Sequence, residues 1–425
     1  MHRARRPRRG LLRQEGALLT APLFSPGNTS GGDGLPLIHV SRARRQRSSP
    51  TADRTLIVVT SYPGQPSCAE LDRQAAAGER PRKDYVELAR RLDADVVDDS
   101  YLNEKSTRFS RLVGSIAGRH AAQIVEVVLR GSDYDHIFVW PERVGLPLAV
   151  LHKIAHLDRD LVLMACWPSR AGKAFMLKRL KAHTHLRALV GYSSAQLEIA
   201  ASRLTVPRNK LHLLLQPVDD RFWRPSGSMS TSVICSVGST GRDYQTLLSA
   251  MRDVDVELRI AVGGIDGADR VLERRLARTG LPSNTTIRHL SPVELRELYS
   301  SASFVVLPLQ DVESDCGVTA LTEAMAMGKA VILTRTRGQI DVIEDGVQGL
   351  YVRPGDPQAL RAAIQFLVAH PEEADRMGRA GRALAEGRHA LTRYVERLAA
   401  TVRGEPLAPA GVGDRFATAT PSTGA

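Results

Sequence analysis

Residues 303–334, SFVVLPLQDVESDCGVTALTEAMAMGKAVILT, carry a complete structural sentence. An apolar run of strand length (303–309) is followed by a polar loop. An alanine-rich helical stretch then stops at Gly328, and a second apolar run follows at 330–334. Continuous Val/Ile/Leu runs, without polar alternation, suit strands buried on both faces of a parallel sheet. A strand–helix–strand unit of this kind makes a right-handed crossover.

The same rhythm extends in both directions. Toward the C-terminus comes GLYV (349–352); toward the N-terminus come TTIRHL (285–290), VELRIAVGG (256–264) and SVICSVG (232–238). A Pro/Gly/Ser-rich passage, PVDDRFWRPSGSMSTS, interrupts it. Before that passage a separate series runs through 55–60, 94–99, 136–140, 161–166, 188–193 and 211–216, with helical periods such as DYVELARRL and SAQLEIAASRL between. Two strand–helix series imply an α/β protein with two Rossmann-like, doubly wound parallel-sheet domains facing across a cleft. The expected boundaries are 54–226 and 227–385, with a helix over 386–403 packing back on the first domain.

The formal charge of +12 is concentrated at the start of the chain. Residues 1–54 hold eleven arginines against Glu15, Asp33 and Asp53, so eight of the twelve excess charges lie there. With its Gly/Ser/Pro-rich middle, 1–53 reads as a disordered basic leader, and 404–425 as a loose tail. Electrostatic contact of basic segments with an anionic membrane is a second reading, extended by the basic stretch KAFMLKRLKAH. A nucleic-acid partner is not expected, because the charge is not spread over a folded face with interleaved aromatics. The four cysteines, Cys68, Cys166, Cys235 and Cys316, show no paired spacing, which fits a reducing cytoplasm and neither a zinc site nor a disulfide framework. His152 and His156 sit four apart without a third ligand, so no metal is called for.

Ligands of open parallel sheets bind beyond the carboxyl ends of strands. The loop ESDCGVT enters a helix there, and free N–H groups with the positive dipole end form a seat for phosphate. Gly317 allows close approach, with Cys316, Val318 and Thr319 beside it; Thr319 is the expected cap. Glu323, further along the helix, can accept both hydrogen bonds of a ribose diol. Asp315, on the loop above, can accept from hydroxyls of whatever is joined to the phosphates. In VGSTGRDYQTLL, Gly238 and Gly241 make a tight turn ahead of Arg242, whose guanidinium can neutralise a leaving diphosphate. In the first domain Glu142 lies at a strand end, where it could bind an acceptor hydroxyl. GxGxxG is absent after TLIVVT, which disfavours an NAD dehydrogenase.

The second domain resembles the donor-binding domain of family 4 glycosyltransferases, retaining enzymes of GT-B architecture. The resemblance is dense in SPVELRELYSSASFVVLPL and TALTEAMAMGKAVILTRTRGQIDVIEDGVQGLYVRPGD. It implies a glycosyltransferase moving a hexose from a nucleotide diphosphate sugar, its co-substrate, to an acceptor of unspecified class. No cofactor and no metal are implied. Glu323 matches the family's ribose-binding Glu. Asp315 takes the place of the Glu near the reacting carbon, and Arg242 falls near the residues that stabilise the diphosphate. The sequence departs from the pattern in Asp315 itself, in Ser239 where an Arg is usual, and in Cys166 where a His is frequent. Those departures keep two alternatives open, a nucleotide-sugar-binding protein without transferase activity and a sugar-nucleotide epimerase.

Overall fold

A computed structural model describes residues 53–60, 65–225, 233–252, 254–263, 272, 274, 276 and 280–406. The basic leader (apart from Asp53), residues 226–232 of the interdomain passage and the tail beyond 406 lie outside the described residues.

The strands form where the apolar runs predict them. The first sheet comprises β1 (Thr55–Val59), β2 (Asp95–Val97), β3 (His136–Trp140), β4 (Asp160–Met164), β5 (Ala188–Gly191) and β6 (Leu211–Leu213). Its order is β2-β1-β3-β4-β5-β6, and every pairing is parallel. The second comprises β7 (Val233–Val237), β8 (Glu257–Ala261), β9 (Thr285–Arg288), β10 (Phe304–Leu307), β11 (Ala330–Thr334) and β12 (Gly349–Val352), in the order β12-β11-β10-β7-β8-β9. It too is parallel throughout. Central strands such as β7, β10 and β11 are buried along their whole length, the physical reason their sequences are unbroken apolar runs.

Local chemistry sets the helix ends. Ser291 and Glu294 close a capping box, and Pro292 opens the helix Pro292–Ser301 with its φ already suited. Asp356 caps Pro357–Ala369 by accepting from the N–H groups of Gln358 and Ala359. Gly378 lets the helix Pro371–Gly387 meet the turn after Val318–Ala326 closely; a Cβ there would lie 2.1 Å from the Gly328 carbonyl oxygen.

Helices cover both faces of each sheet. On one face of the first sheet, Cys68–Ala76 and Asp84–Leu92 share a core with the helix Leu391–Arg403, whose Tyr394, Leu398 and Val402 pack against Phe138 and Val162. The last helix thus lies on the first lobe, starting at 391 after the turn 388–390. The Tyr192 and Tyr394 hydroxyls meet at 3.2 Å, and His389 Nδ1 lies 2.8 Å from the Gln216 carbonyl oxygen. Arg382 staples the interlobe strand of chain from below by donating to the carbonyls of Trp223 and Asp220. No described helix is long and apolar enough to cross a membrane.

Candidate active site

Strand order in the second sheet reverses between β7 and β10, which are neighbours with crossovers leaving in opposite directions. That leaves a crevice at their carboxyl ends, the usual ligand position in open α/β sheets. The loops carrying Arg242 and Asp315 are the two that emerge there.

They are joined to each other. Asp243 N–H donates to the Pro308 carbonyl at 2.9 Å, and Gln310 N–H donates to the Gly241 carbonyl at 2.9 Å, around an isolated antiparallel bridge between Arg242 and Leu309. Gly238 and Gly241 have φ of +97° and +67°, which side-chain-bearing residues rarely adopt. The Arg242 guanidinium lies in the gap that two glycines leave. A Cβ on Gly238 would sit 2.6 Å from one terminal nitrogen, and a Cβ on Gly317 would sit 2.9 Å from the other. The side chain is buried, with Nε donating to the Val237 carbonyl at 2.8 Å and Nη1 to that of Thr240 at 3.1 Å. Burial pulls its pKa below the usual value, while the nearby Tyr244, Tyr299, Cys316 and Glu323 oppose the shift.

The helix tip differs from expectation in one respect. Gly317, not Thr319, is the N-cap, with φ +90°; Thr319 is the second helical residue and is exposed. The chain turns left-handed at Gly317 so that Val318 N–H reaches back to the Asp315 carbonyl at 3.1 Å. Val318 N–H is therefore engaged within the loop. The N–H groups of Gly317, Thr319 and Ala320 have no acceptor among the described residues. The tip that carries these donors lies against the Arg242 guanidinium at Gly317.

Glu323 is the sixth residue of the helix, and its side chain tilts back toward the tip. Its Oε2 accepts from the Tyr299 hydroxyl at 3.2 Å. Burial raises its pKa to about 7, against the opposing pull of that hydroxyl, Lys83 and Arg242. Asp315 is raised to about 6, first by burial and then by the charge of Glu142 across the cleft. The Cys166 thiol is held well above its ordinary range by burial, then by Glu142 and Asp315, so it stays neutral.

Glu142, the expected acceptor-side residue, has partners of its own lobe at both oxygens. Oε1 accepts from Trp167 N–H at 2.7 Å, and Oε2 pairs with Lys173 at 3.1 Å. It anchors the loop after β4 opposite Asp315.

Several residues at this site were not singled out from the sequence. Ser194 binds Asp341 through N–H (2.7 Å) and Oγ (2.6 Å), Ser193 donates to the Gly338 carbonyl at 2.9 Å, and Gln196 donates to that of Glu313. Gln339 donates to the carbonyls of Asp315 and Cys316. The start of one first-lobe helix therefore holds the 338–341 loop through Ser193 and Ser194, and the loop that carries Asp315 through Gln196. Lys83 acts on Glu323 from the first lobe by charge alone. The only signal was that TRGQID lies in a stretch of dense resemblance; serine or glutamine identity says nothing about a partner over a hundred residues away.

With the geometry in place, comparisons with known proteins are decisive for the second lobe. Residues 224–384 match the family Glycosyl transferases group 1. The second lobe is a group 1 glycosyl transferase domain. The chain is 29% identical over 202 residues to an alpha-maltose-1-phosphate synthase of Mycobacterium tuberculosis, covering 41% of this chain and 51% of that protein. It is 32% identical over 298 residues to a D-inositol 3-phosphate glycosyltransferase of Segniliparus rotundus, covering 63% of this chain and 64% of the relative. The chain thus spans about half the length of the first of these relatives. Among solved structures, Anabaena HepE in complex with UDP-glucose superposes with a TM-score of 0.62 at 16% identity, covering 83% of this chain and 99% of that one. Sucrose-phosphate synthase of Thermosynechococcus elongatus gives 0.63 at 15%, covering 83% and 98%. At those identities the likeness is one of fold: the group 1 domain and the lobe before it together have the GT-B architecture.

Proposed function

We propose that the chain transfers a hexose from a nucleotide diphosphate sugar to an acceptor held against the first lobe, with retention of anomeric configuration and without a divalent metal. The observation that carries this reading is the Arg242 guanidinium lodged between Gly238 and Gly317, which sets a cation beside the N-cap of a helix. Fixed donors aimed at a developing diphosphate charge lower the barrier without reorganisation and do the neutralising that a metal would otherwise do.

In this account Glu323 accepts from the ribose diol and Asp315 from a hydroxyl of the hexose. The bond from the anomeric carbon to the β-phosphate oxygen breaks, and a bond from that carbon to the acceptor oxygen forms on the same face. The acceptor proton passes to the departing phosphate oxygen, and the nucleoside diphosphate leaves. Lys83, acting from the opposite lobe, adds positive charge above the seat. Gln196 directly, and Ser193 and Ser194 through the 338–341 loop and Gln339, hold the Asp315 loop while water is excluded.

A second reading, donor binding without transfer, is favoured by Ser239 in the place of an arginine and by the two Arg242 bonds already made to backbone carbonyls. A panel of nucleotide sugars separates the two, with UDP-glucose first because the HepE complex contains it. Transfer predicts release of nucleoside diphosphate in the presence of EDTA and an acceptor, and a product whose anomeric proton coupling matches the donor. Donor retained intact, with no nucleotide released, would establish the binder instead.

A further inference from the structure

One face of the first lobe is apolar where it should be polar. The helices Arg108–Ala117, Arg119–Arg130, Glu142–Ile154 and Ala171–Lys178 pack side by side over the sheet face opposite to the one covered by the C-terminal helix. Their inner sides supply the core. Their outer sides expose Phe109 (58%), Ile116 (79%), Ile154 (70%) and Phe175 (55%), together with Leu112 and Leu129. Of the thirteen large hydrophobic side chains exposed among the described residues, nine lie between 109 and 180. Single exposed apolar residues are ordinary, but a concentration on one face marks a contact surface.

The spacing on Arg108–Ala117 is that of a helix lying in an interface. Phe109, Leu112 and Ile116 recur at helical intervals on one side, while Ser110, on the inner side, is buried and donates to Glu126 at 2.6 Å. Charge around the apolar row is predominantly positive. Residues 105–181 hold thirteen lysines and arginines against six acids, and Glu126 and Glu142 among those acids are buried. Lys105, Arg108, Arg111, Lys178, Arg179 and Lys181 make no ion pair among the described residues and are exposed. A protein partner would match some of these cations with acids on this face; a plane of anionic headgroups over an acyl layer matches cations and apolar side chains together.

We propose that this helical face docks on an anionic lipid surface, with Phe109, Leu112 and Ile116 entering the headgroup–acyl boundary and the flanking cations meeting lipid charge. The seat is distinct from the basic leader, and it does not depend on the donor chemistry proposed above.

Flotation of the full chain with phosphatidylglycerol–phosphatidylcholine vesicles tests it. The full chain floats with the anionic vesicles, does not float with phosphatidylcholine alone, and dissociates as salt is raised. The triple variant F109S/L112S/I116S, checked by circular dichroism and thermal melting for an intact fold, loses about tenfold or more in partition coefficient. Arg108→Gln/Arg111→Gln loses binding at moderate salt. Undiminished flotation of the triple variant would assign attachment to the arginines before residue 54 and overturn the proposal. Absence of flotation by the wild-type chain would overturn it as well. A wild-type dimer that the triple variant converts to monomer, without vesicle binding by either, would assign the face to a second copy of the chain.

Discussion

At the scale of single residues, the acid on the helix Val318–Ala326 is the most informative. Glu323 reaches the cleft with Tyr299 beneath it, and burial lifts its folded pKa from 4.5 to about 7. Because the folded value is raised, the stabilisation is complete below the unfolded value and is lost as pH rises through about 7. At pH 8 the folded protein carries a desolvated charge that the unfolded chain would hold in water. Glu323→Gln keeps the shape and the acceptor oxygen for Tyr299 while removing that charge. It should therefore raise stability by about 1–3 kcal/mol at pH 8 and leave it nearly unchanged at pH 5. Thermal melts of the pair at both values check this; an equal effect at the two pH values would show that the buried charge is not the cause. Glu323 was legible from the sequence as an acid placed after a loop-to-helix turn. The cap was not, since Thr319 and Gly317 both fit a helix start, and the choice is settled by the left-handed turn that brings Val318 N–H onto the Asp315 carbonyl.

At the scale of elements, the strands were legible in place and order: AVILT and GLYV are β11 and β12 end for end, whereas the runs 94–99, 211–216 and 256–264 shorten to β2, β6 and β8 because the runs continue into the turns. The loops between them were legible only in part. Their polar residues are held by partners far off in sequence, as where Gln339 takes the carbonyls of Asp315 and Cys316. Gly338 shows how close that packing is: a Cβ there would lie 2.0 Å from the Ser314 carbonyl oxygen, with Glu313 just behind. Backbone cannot yield as a side-chain tip can, so Gly338→Ala must displace the 313–316 loop. The expected result is a stability loss of about 1–3 kcal/mol, within the range of overpacking effects, with increased hydrogen–deuterium exchange confined to 313–320. Exchange unchanged in that segment would mean the 338 loop does not position it.

At the scale of the whole molecule, two sheets and a returning C-terminal helix could be read from the order of apolar runs, whereas the contact between lobes could not. Interlobe contacts rest on short polar side chains whose sequence signal is nil until coordinates pair them. Asp341 is the centre of that contact, receiving both bonds from Ser194. Arg82 ties the first lobe to the connecting segment at Asp219, with Nε at 3.0 Å and the Arg82 N–H at 2.8 Å from the carboxylate. Asp341→Ala leaves the Ser194 N–H without its partner and should open the lobes, read as a larger radius of gyration in small-angle scattering with an unaltered circular dichroism spectrum. A radius equal to wild type would place the hinge restraint elsewhere.

The central claim is that Arg242, the helix tip at Gly317 and Glu323 grip one donor. Calorimetric titration of the donor identified by nucleotide release, into wild type, Glu323→Ala and Glu323→Gln at pH 8, tests it most directly. The account predicts a loss of about tenfold to a hundredfold in affinity for the alanine variant, the scale of charge-assisted hydrogen bonds to a diol, and a smaller loss for glutamine, which still accepts. Affinity unchanged in both folded variants would contradict it.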